Sequence, residues 1–285
     1  MTGVHAALEV RIDRKVFQAG DGSGERLVIE GLGFEVPAGE FVCIVGPSGC
    51  GKTTMLNIIA ALDGDATARV RFADGTSLAQ ARIGYMFQTP RLLPWATVRE
   101  NVAIVLDGDA GGDGRVEALL ERMELGDCLN EYPNRLSGGM QRRVALARAF
   151  VAEPSLLLLD EPFVSLDVPV GNRLRSMLLD LWSARPTTVL FVTHDLREAI
   201  YLADRILFLS RGPARVILDT RVPIPRPRGA EDSRIESFRQ QLLTQDESLL
   251  HGLVSEDAED TDAPDGQDVD GNGDGANRPA AGRVA

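Results

Sequence analysis

The sequence predicts an α/β fold with a mostly parallel β-sheet, and two patterns support this prediction. In the first, short apolar segments such as 156–159 and 188–193 alternate with segments of helical periodicity such as 174–182. Strands that are buried on both faces are apolar throughout, so this alternation indicates a sheet covered by helices on each side. In the second, an apolar strand at 41–45 leads through a glycine-rich loop into a helix at 55–62.

That glycine-rich loop, residues 46–53, is the first candidate site. It reads GPSGCGKT and fits the pattern G-x-x-x-x-G-K-[ST] at every fixed position. Its glycines let backbone N–H groups face a polyphosphate, and the N-terminus of the next helix adds positive charge. Lys52 supplies a mobile charge for the β- and γ-phosphates, and the Thr53 hydroxyl a ligand for Mg²⁺. A chance glycine turn is the alternative, but the flanking strand and helix favour a phosphate-loop site for a nucleoside triphosphate.

The remaining elements follow from the same periodicities and from turn residues. Two antiparallel strands, at 10–17 and 27–36, are predicted on either side of a glycine-rich hairpin at 19–24. Further strands are predicted at 69–72, 83–87 and 205–209, and further helices at 115–123, from 137 onward and at 196–203. A turn at 73–75 separates the first two of these strands.

The composition is that of a soluble globular protein, with 285 residues, of which 44% are hydrophobic and 25% charged. No segment approaches the roughly 18 consecutive apolar residues of a membrane-spanning helix, and the first thirty residues show no signal-peptide core. A cytoplasmic location is therefore expected. Cys43, Cys50 and Cys128 have no metal-like spacing and are expected to be unpaired thiols. Cys50 lies in the glycine-rich loop, so its alkylation could block nucleotide binding.

The negative charge is concentrated towards the C-terminus. The net charge is −12 and the pI about 4.8, which argues against a general nucleic-acid-binding surface. Nine acidic residues lie between positions 256 and 274, with almost no apolar residues among them. Residues 255–285 are therefore predicted to be a disordered solvating tail, and a regulatory tail is the alternative.

An acidic pair follows the buried strand at 156–159. Asp160, at its end, is expected to be the Mg²⁺ partner that phosphate-loop enzymes place there. Glu161 comes next and can act as general base towards a water near the γ-phosphate, a contribution of about 10²–10⁴-fold. Two acidic residues after a strand are by themselves weak evidence for a catalytic site. The phosphate loop in the same chain strengthens this evidence.

A second anion cradle is predicted at residues 136–141. Ser137, Gly138 and Gly139 open a helix, so a hydroxyl, free N–H groups and the helix dipole meet at one point. The alternative is a simple N-cap with a flexible entrance. One triphosphate does not need two such cradles from one chain, and this surplus requires an explanation.

These residues together resemble the ATPase subunit of ATP-binding cassette (ABC) transporters, from residue 17 to about residue 210. Six motifs occur in family order: the phosphate loop at 46–53, Gln88 after a strand, the signature at 136–141, the acidic strand at 156–161, the segment at 165–167 and His194 after the strand at 188–193. The resemblance implies an α/β phosphate-loop NTPase core with an N-terminal antiparallel β-subdomain and a helical subdomain at about 89–152. The ATPase domain would span 1–228, with a helical extension at 229–254.

The resemblance also implies a composite site. In that family two cassettes dimerise head to tail, so Ser137 and Gly139 of one chain bind the γ-phosphate held by Lys52 of the other. Asp167 then links the two sites across the dimer. The second cradle in a single chain would thereby be explained.

Further roles follow from the resemblance. Gln88 would sense the γ-phosphate, Mg²⁺ and attacking water, and His194 would hold the γ-phosphate and orient Glu161. Phe17 would stack on adenine, or it is a strand core residue. The implied catalytic residues are Glu161, His194 and Gln88, and the implied metal ligands are Thr53, Gln88 and Asp160. The implied ATP contacts are Phe17, Gly46, Pro47, Ser48, Gly49, Cys50, Gly51, Lys52, Thr53, Thr54, Ser137, Gly138, Gly139 and Asp167.

Two departures from the family pattern stand out. Arg142 occupies a position after the signature glycines where it is unusual, and the stretch 63–82 is shorter than in most members. Neither departure is expected to touch a catalytic position.

Segments at 92–95, 161–163 and 223–228 resemble the importer subgroup for nitrate, sulfonates, taurine and similar solutes. The implied function is an ATP-hydrolysing subunit on the inner face of the membrane, with a second cassette, a membrane permease and, indirectly, an extracytoplasmic solute-binding protein as partners. Trp95 would anchor the permease, or it folds onto its own helical subdomain. The alternative functions are the ATPase of an exporter or lipid-transfer system, and a cassette in DNA repair or translation.

Overall fold

The computed structural model describes residues 8–18, 24–78, 80–106 and 114–245. Its strands are β1 (Leu8–Gln18), β2 (Glu25–Val36), β3 (Phe41–Val45), β4 (Thr67–Phe72), β5 (Ile83–Met86), β6 (Leu156–Asp160), β7 (Thr188–Thr193), β8 (Arg205–Leu209) and β9 (Val216–Arg221). Its α-helices are α1 (Lys52–Ile59), α2 (Val98–Ala103), α3 (Arg115–Arg122), α4 (Gly138–Val151), α5 (Val168–Ala184), α6 (Leu196–Leu202) and α7 (Ser233–Gln245). The predicted turn residues 19–23 and the acidic tail lie outside the described residues.

The first sheet is antiparallel and has the order β2–β1–β4. Along β1 the residues Leu8, Val10 and Ile12 are buried and alternate with more exposed ones, as expected of strands with one face against a core. The predicted antiparallel pair is confirmed. The strands on either side of the predicted turn at 73–75 belong to different sheets, because β4 pairs with β1 and β5 with β6.

The second sheet has the order β5–β6–β7–β3–β8–β9 and is parallel except for the last strand, which runs antiparallel to β8. Every residue of β3, β6 and β7 is buried, which explains their unbroken apolar sequences. The mostly parallel sheet is therefore confirmed. Strand β9 was not predicted, because its residues are half-buried or exposed and only the first three of them, Val216, Ile217 and Leu218, are apolar.

The two faces of this sheet line two hydrophobic cores. Cys43 and Val45 face a core formed with helices α2 to α7, whereas Val42 and Ile44 face the antiparallel sheet and α1. Fully burying one such aliphatic side chain stabilises the fold by about 1.5–3 kcal/mol. The sheet is thus covered on both sides, and the carboxyl ends of its strands remain available for a site.

Helix α4 packs directly against β5. A Cβ on Gly84 would lie 2.2 Å from the carbonyl oxygen of Ala149, so only glycine permits this approach. The contact holds the C-terminal end of α4 against β5. Helix α2, which was not predicted, begins at Thr97 with a capping box in which Thr97 and Glu100 bond each other's backbone N–H groups.

Candidate functional site

The phosphate loop (residues 46–53) joins the end of β3 to the start of α1. Gly51 precedes the helix with a φ of 113°, and no side chain caps the first turn. A Cβ on Gly51 would also lie 3.0 Å from Cγ1 of Val28 in β2. Glycine is therefore required here for both conformation and space, and it places no side chain at the start of α1, where an anion can approach the helix N-terminus.

Lys52 lies folded over this loop. Its side chain is almost fully buried, and Nζ donates to the carbonyl oxygens of Gly46 at 2.6 Å and Pro47 at 3.0 Å. The same Nζ lies 3.6 Å from Oε1 of Glu161. The ammonium charge is thus held where the loop meets the acidic pair.

Three adjacent strands deliver the other polar groups to the same edge of the sheet. Val45 pairs with Thr193, and Asp160 pairs with Val192. The residues that follow β3, β6 and β7 therefore emerge side by side. This register explains why segments far apart in the sequence converge on one site.

Glu161 is held in a specific ionised state and geometry. Its backbone has a φ of 43°, in the left-handed region, and its N–H donates to the carbonyl of Val192 at 3.0 Å. Its Oε2 lies 3.3 Å from Nδ1 of His194. This hydrogen bond, together with the charge of Lys52, lowers the pKa of Glu161 despite partial burial. The carboxylate is therefore ionised at neutral pH, as a general base must be.

Asp160 is almost fully buried at the end of β6, and its carboxylate accepts a hydrogen bond from the Thr53 side chain. Burial raises the pKa of Asp160, and the Thr53 contact opposes that shift. Hydroxyl and carboxylate oxygens are the donors that Mg²⁺ prefers. Among the described residues no group of three or more His, Cys, Asp or Glu could hold a metal. The Thr53 hydroxyl and the Asp160 carboxylate are nevertheless oxygen donors of the type that a magnesium ion takes.

These groups border a cleft of about 700 Å³. It is lined by Phe17, Gln18, Arg26, Val28, Ser48, Gly49, Gly51, Lys52, Thr53, Thr54, Gln88 and Glu161. The ring of Phe17 is 44% exposed, so this residue is not part of the strand core. The lining combines an aromatic ring at one end with phosphate-binding groups at the other, which suits a nucleotide. Gln18, Arg26 and Val28 carried no motif that could have singled them out.

The other loop residues support the cleft from behind. Gly46, Pro47 and Cys50 are buried and do not line it. Cys50 is 2% exposed, and burial raises the pKa of its thiol. The suggestion that alkylation of Cys50 could block the site is therefore not supported, because a buried, protonated thiol reacts slowly.

The serine–glycine turn (Ser137, Gly138 and Gly139) lies elsewhere on the chain's surface. Ser137 caps α4, and its hydroxyl accepts from the N–H of Met140 at 3.3 Å. None of the three residues lines the cleft. Asp167 is likewise exposed and caps α5 by accepting from the N–H of Val170 at 2.9 Å. The structure of one chain does not bring the two cradles together.

Arg142 was expected to avoid the catalytic positions, and this expectation is wrong. Its guanidinium donates to the carbonyl oxygens of Gln88 at 3.3 Å, Pro162 at 2.6 Å and Val164 at 2.7 Å. It thereby fixes the backbone of Gln88 and of the segment just after Glu161. The helical pattern only placed this arginine off the apolar stripe, because long-range contacts with carbonyls leave no mark in the sequence.

Trp95 is 74% exposed. The alternative in which this ring folds onto its own helical region is therefore contradicted. No helix in the described ranges is both long enough and apolar enough to cross a membrane.

The strand–loop–helix cradle, the buried lysine and the acidic pair define a nucleotide hydrolase of the phosphate-loop class. A family model described as "ABC transporter" matches residues 29–164. An "Aliphatic sulfonates import ATP-binding protein SsuB 2" of Burkholderia cenocepacia is 42% identical over 238 residues, which cover 83% of this chain and 86% of the relative. An SsuB protein of Bacillus licheniformis is 39% identical over 247 residues, covering 85% and 95%.

A solved structure supports the same assignment. The post-hydrolysis dimer of the ATP-binding cassette MJ0796 with ADP and Pi has a TM-score of 0.65 and 31% identity, covering 76% of this chain and all of that chain. The chain belongs to the ABC transporter family. The predicted ABC ATPase family and fold are thereby confirmed.

Proposed function

We propose that this chain is the ATP-hydrolysing subunit of an ABC importer. ATP binding closes a head-to-tail dimer, and hydrolysis reopens it to drive a membrane permease. The observation that carries the proposal is the convergence of Lys52, Glu161 and His194 at one edge of the cleft, with Nζ 3.6 Å and Nδ1 3.3 Å from the two carboxylate oxygens.

The reaction assigns a role to each of these groups. Glu161 takes a proton from water as the oxygen attacks the γ-phosphorus, and the bond to the β–γ bridging oxygen breaks, which releases ADP and phosphate. Lys52 exchanges its carbonyl partners for phosphate oxygens and balances their charge. Thr53, Asp160 and Gln88 would hold Mg²⁺, which would supply positive charge to the β- and γ-phosphates.

The remaining contacts position the nucleotide. Phe17 stacks on the adenine ring, and its exposed ring at the cleft supports this role. Gln88 senses the γ-phosphate, and His194 holds it while orienting Glu161. The backbone of the phosphate loop completes the cradle, together with Thr54, which lines the cleft.

A second cassette completes the site. The exposed Ser137 and the half-buried Gly139 of one chain contact the γ-phosphate held by Lys52 of the other, and Asp167 links the two sites. The dimeric assembly named for MJ0796 supports this arrangement. The domain division into an ATPase domain (1–228, with a helical subdomain at about 89–152), a helical extension (229–254) and an acidic tail (255–285) also remains part of the proposal.

The solute proposed is an aliphatic sulfonate, because the relatives named above import aliphatic sulfonates. The chain would lie on the inner face of the cell membrane and bind a permease that receives the solute from an extracytoplasmic binding protein. The exposed ring of Trp95 supports a permease contact near it.

The hydrolysis step is tested by Glu161→Gln in the full chain. We expect phosphate release to fall by at least about 10²-fold while ATP-bound dimers accumulate, because binding is kept and the base is lost. Glu153→Gln is the matched control: Glu153 also has a positive φ but lies before β6, at the other edge of the sheet. Undiminished hydrolysis in Glu161→Gln would place the base elsewhere.

The transport step needs a separate experiment. Cells that lack the chain should fail to accumulate labelled alkanesulfonate, and the wild-type chain but not Glu161→Gln should restore uptake, with nitrate and taurine assayed in parallel. A multispan protein should co-purify from detergent-solubilised membranes. Tight association with DNA or ribosomes, or faster loss of the solute from cells, would contradict import.

A further inference from the structure

A buried chain of polar side chains lies behind His194, away from the cleft. Glu198, on α6, is 7% exposed and accepts from Arg175 Nε at 2.7 Å through Oε1. Its Oε2 accepts from the Thr193 hydroxyl, also at 2.7 Å. The Thr193 hydroxyl in turn accepts from the N–H of Asp195 at 3.0 Å. These bonds hold the residue on each side of His194.

The consequence concerns the backbone of His194 rather than its ring. The ring is 41% exposed, so packing alone does not fix its position. Its Cα is confined because Thr193 ends a fully buried strand and Asp195 caps α6 by accepting from the N–H groups of Arg197 and Glu198. Glu198 does not line the nucleotide cleft, so it cannot act on the nucleotide directly.

Arg175 connects these polar side chains to the segment that follows Glu161 and to another residue of its own helix, α5. Its guanidinium lies 5.8 Å from the centre of the Phe163 ring, just beyond Glu161, and donates to Asn172 at 3.0 Å. It also passes close to Gly171, where a Cβ would lie 3.2 Å from Nη1. A glycine inside a helix such as α5 is less favourable than alanine, and the space for this guanidinium is a reason to keep it.

A buried ion pair is not in itself an argument for stability. Removing a carboxylate and a guanidinium from water costs several kcal/mol, and apolar residues of the same volume often stabilise a protein as well. Burial raises the pKa of Glu198, and Arg175 and Thr193 oppose that shift. The arrangement is therefore better explained by what it positions.

We propose that Arg175 and Glu198 are positioning residues that fix His194 against Glu161 through the Thr193 hydroxyl. Because Asp167 caps the N-terminus of α5 and Arg175 lies on the same helix, these contacts connect the proposed dimer contact to the histidine. The inference rests on the proposed roles of Glu161 and His194 in hydrolysis. It adds that the reaction depends on the hydroxyl of Thr193, a residue that does not line the cleft.

The test compares Thr193→Val with Thr193→Ser in the full chain. Valine keeps the shape of threonine and loses the hydroxyl, whereas serine keeps the hydroxyl and loses a methyl group. We expect Thr193→Val to lower kcat for ATP hydrolysis about ten-fold, since small misplacements of a catalytic group have effects of this size or larger. KM for ATP should stay unchanged, and Thr193→Ser should recover most of the lost rate.

Thr188→Val is the matched control. Thr188 lies at the other end of β7, is also buried, and its hydroxyl accepts from a backbone N–H, that of Gly39, at 3.0 Å. We expect this variant to lose a similar amount of stability in urea unfolding while kcat stays at the wild-type value. A fall in kcat equal to that of Thr193→Val would show that buried hydroxyls matter only through stability, and would overturn the inference.

A second variant keeps the inference testable if Thr193→Val does not fold. Glu198→Gln should lower kcat with KM unchanged, whereas Glu40→Gln should not, although Glu40 is equally buried and lies near Arg205 and Arg221. Wild-type kcat in Glu198→Gln overturns the inference. Glu161→Gln, measured in parallel, distinguishes failure of the proposed function from failure of the positioning role. If Glu161→Gln retains turnover, the proposed function is wrong. If Glu161→Gln is the only variant that loses turnover, only the positioning role is wrong.

Discussion

The phosphate loop and the serine–glycine turn are both glycine-containing helix starts, but different surroundings confine their glycines. At Gly46 a Cβ would lie 3.1 Å from Sγ of Cys50 and from Cβ of Leu209, and at Gly51 it would lie 3.0 Å from Val28. At Gly138 a Cβ would meet nothing within 4 Å. Gly46 and Gly51 of the first cradle are therefore confined by their own chain, whereas Gly138 of the second cradle is not.

The difference shows which glycines the fold itself requires. Steric contacts within the chain explain Gly46 and Gly51, and they also explain Gly139, whose Cβ would lie 2.8 Å from Val170. Gly138 has no such contact, although glycine is a poor residue in a helix compared with alanine. The proposed second cassette would explain the glycine, because this turn would then face the nucleotide of that cassette.

The largest expected effect comes from mixing two inactive variants. Lys52→Ala removes the charge of the first cradle, and Ser137→Arg blocks the second, so each variant alone should show no ATP-dependent phosphate release. A mixture contains dimers with one intact composite site. We expect partial recovery of hydrolysis on mixing, measured by phosphate release.

The control for this experiment mixes each variant with itself at the same total concentration. A mixture that stays as inactive as its components would contradict a site shared between chains. Full activity of Ser137→Arg alone would show that the phosphate loop suffices without the serine–glycine turn.

Gly51→Ala should have the next largest effect, on stability. At a φ of 113° an L-residue is strained, and the new Cβ would press on Val28, so we expect a loss of about 1–3 kcal/mol in the free energy of unfolding. Urea unfolding followed by circular dichroism measures this loss. An unfolding midpoint equal to that of the wild type would show that the loop can relax.

Gly138→Ala should have the opposite profile. The position has no positive φ and has room for a Cβ, so the variant should be as stable as the wild type or more stable by about 0.4–1 kcal/mol. Hydrolysis should still fall about ten-fold, because the methyl group would obstruct the phosphate of the partner's nucleotide. Unchanged hydrolysis would mean that Gly138 does not face a ligand. It would contradict the proposal that the serine–glycine turn faces the nucleotide of a second cassette.

Sequence patterns located the elements that are buried on both faces most accurately. The strands Thr188–Thr193 and Arg205–Leu209 were predicted to the residue, because their apolar runs are bounded by polar residues. Helix α2 was missed although Thr97 and Glu100 form the pattern of a capping box. Strand β9 could not be found, since it is held by pairing with β8 rather than by burial.

The residues of the candidate site also differ in whether the sequence could reveal them. Lys52 and Glu161 could be found because each lies in a local motif attached to a strand. Arg142 and Arg175 could not, because their partners are backbone carbonyls and a carboxylate 20 to 54 residues away. Tertiary contacts of this kind leave no periodic pattern, so only the structure reveals them.

The smallest expected effect concerns Cys50, inside the first cradle. Its thiol is 2% exposed, and burial raises its pKa more than the charge of Lys52 lowers it. Since the thiolate is the reactive form, N-ethylmaleimide at pH 7 should modify Cys50 far more slowly than a free thiol, and the rate should rise with pH. Mass spectrometry measures the modification, with the urea-unfolded chain as the control in which all three cysteines react. Rapid modification of Cys50 in the folded chain, with loss of hydrolysis, would show that the phosphate loop opens. Its residues would then be no more confined by the surrounding chain than Gly138 is.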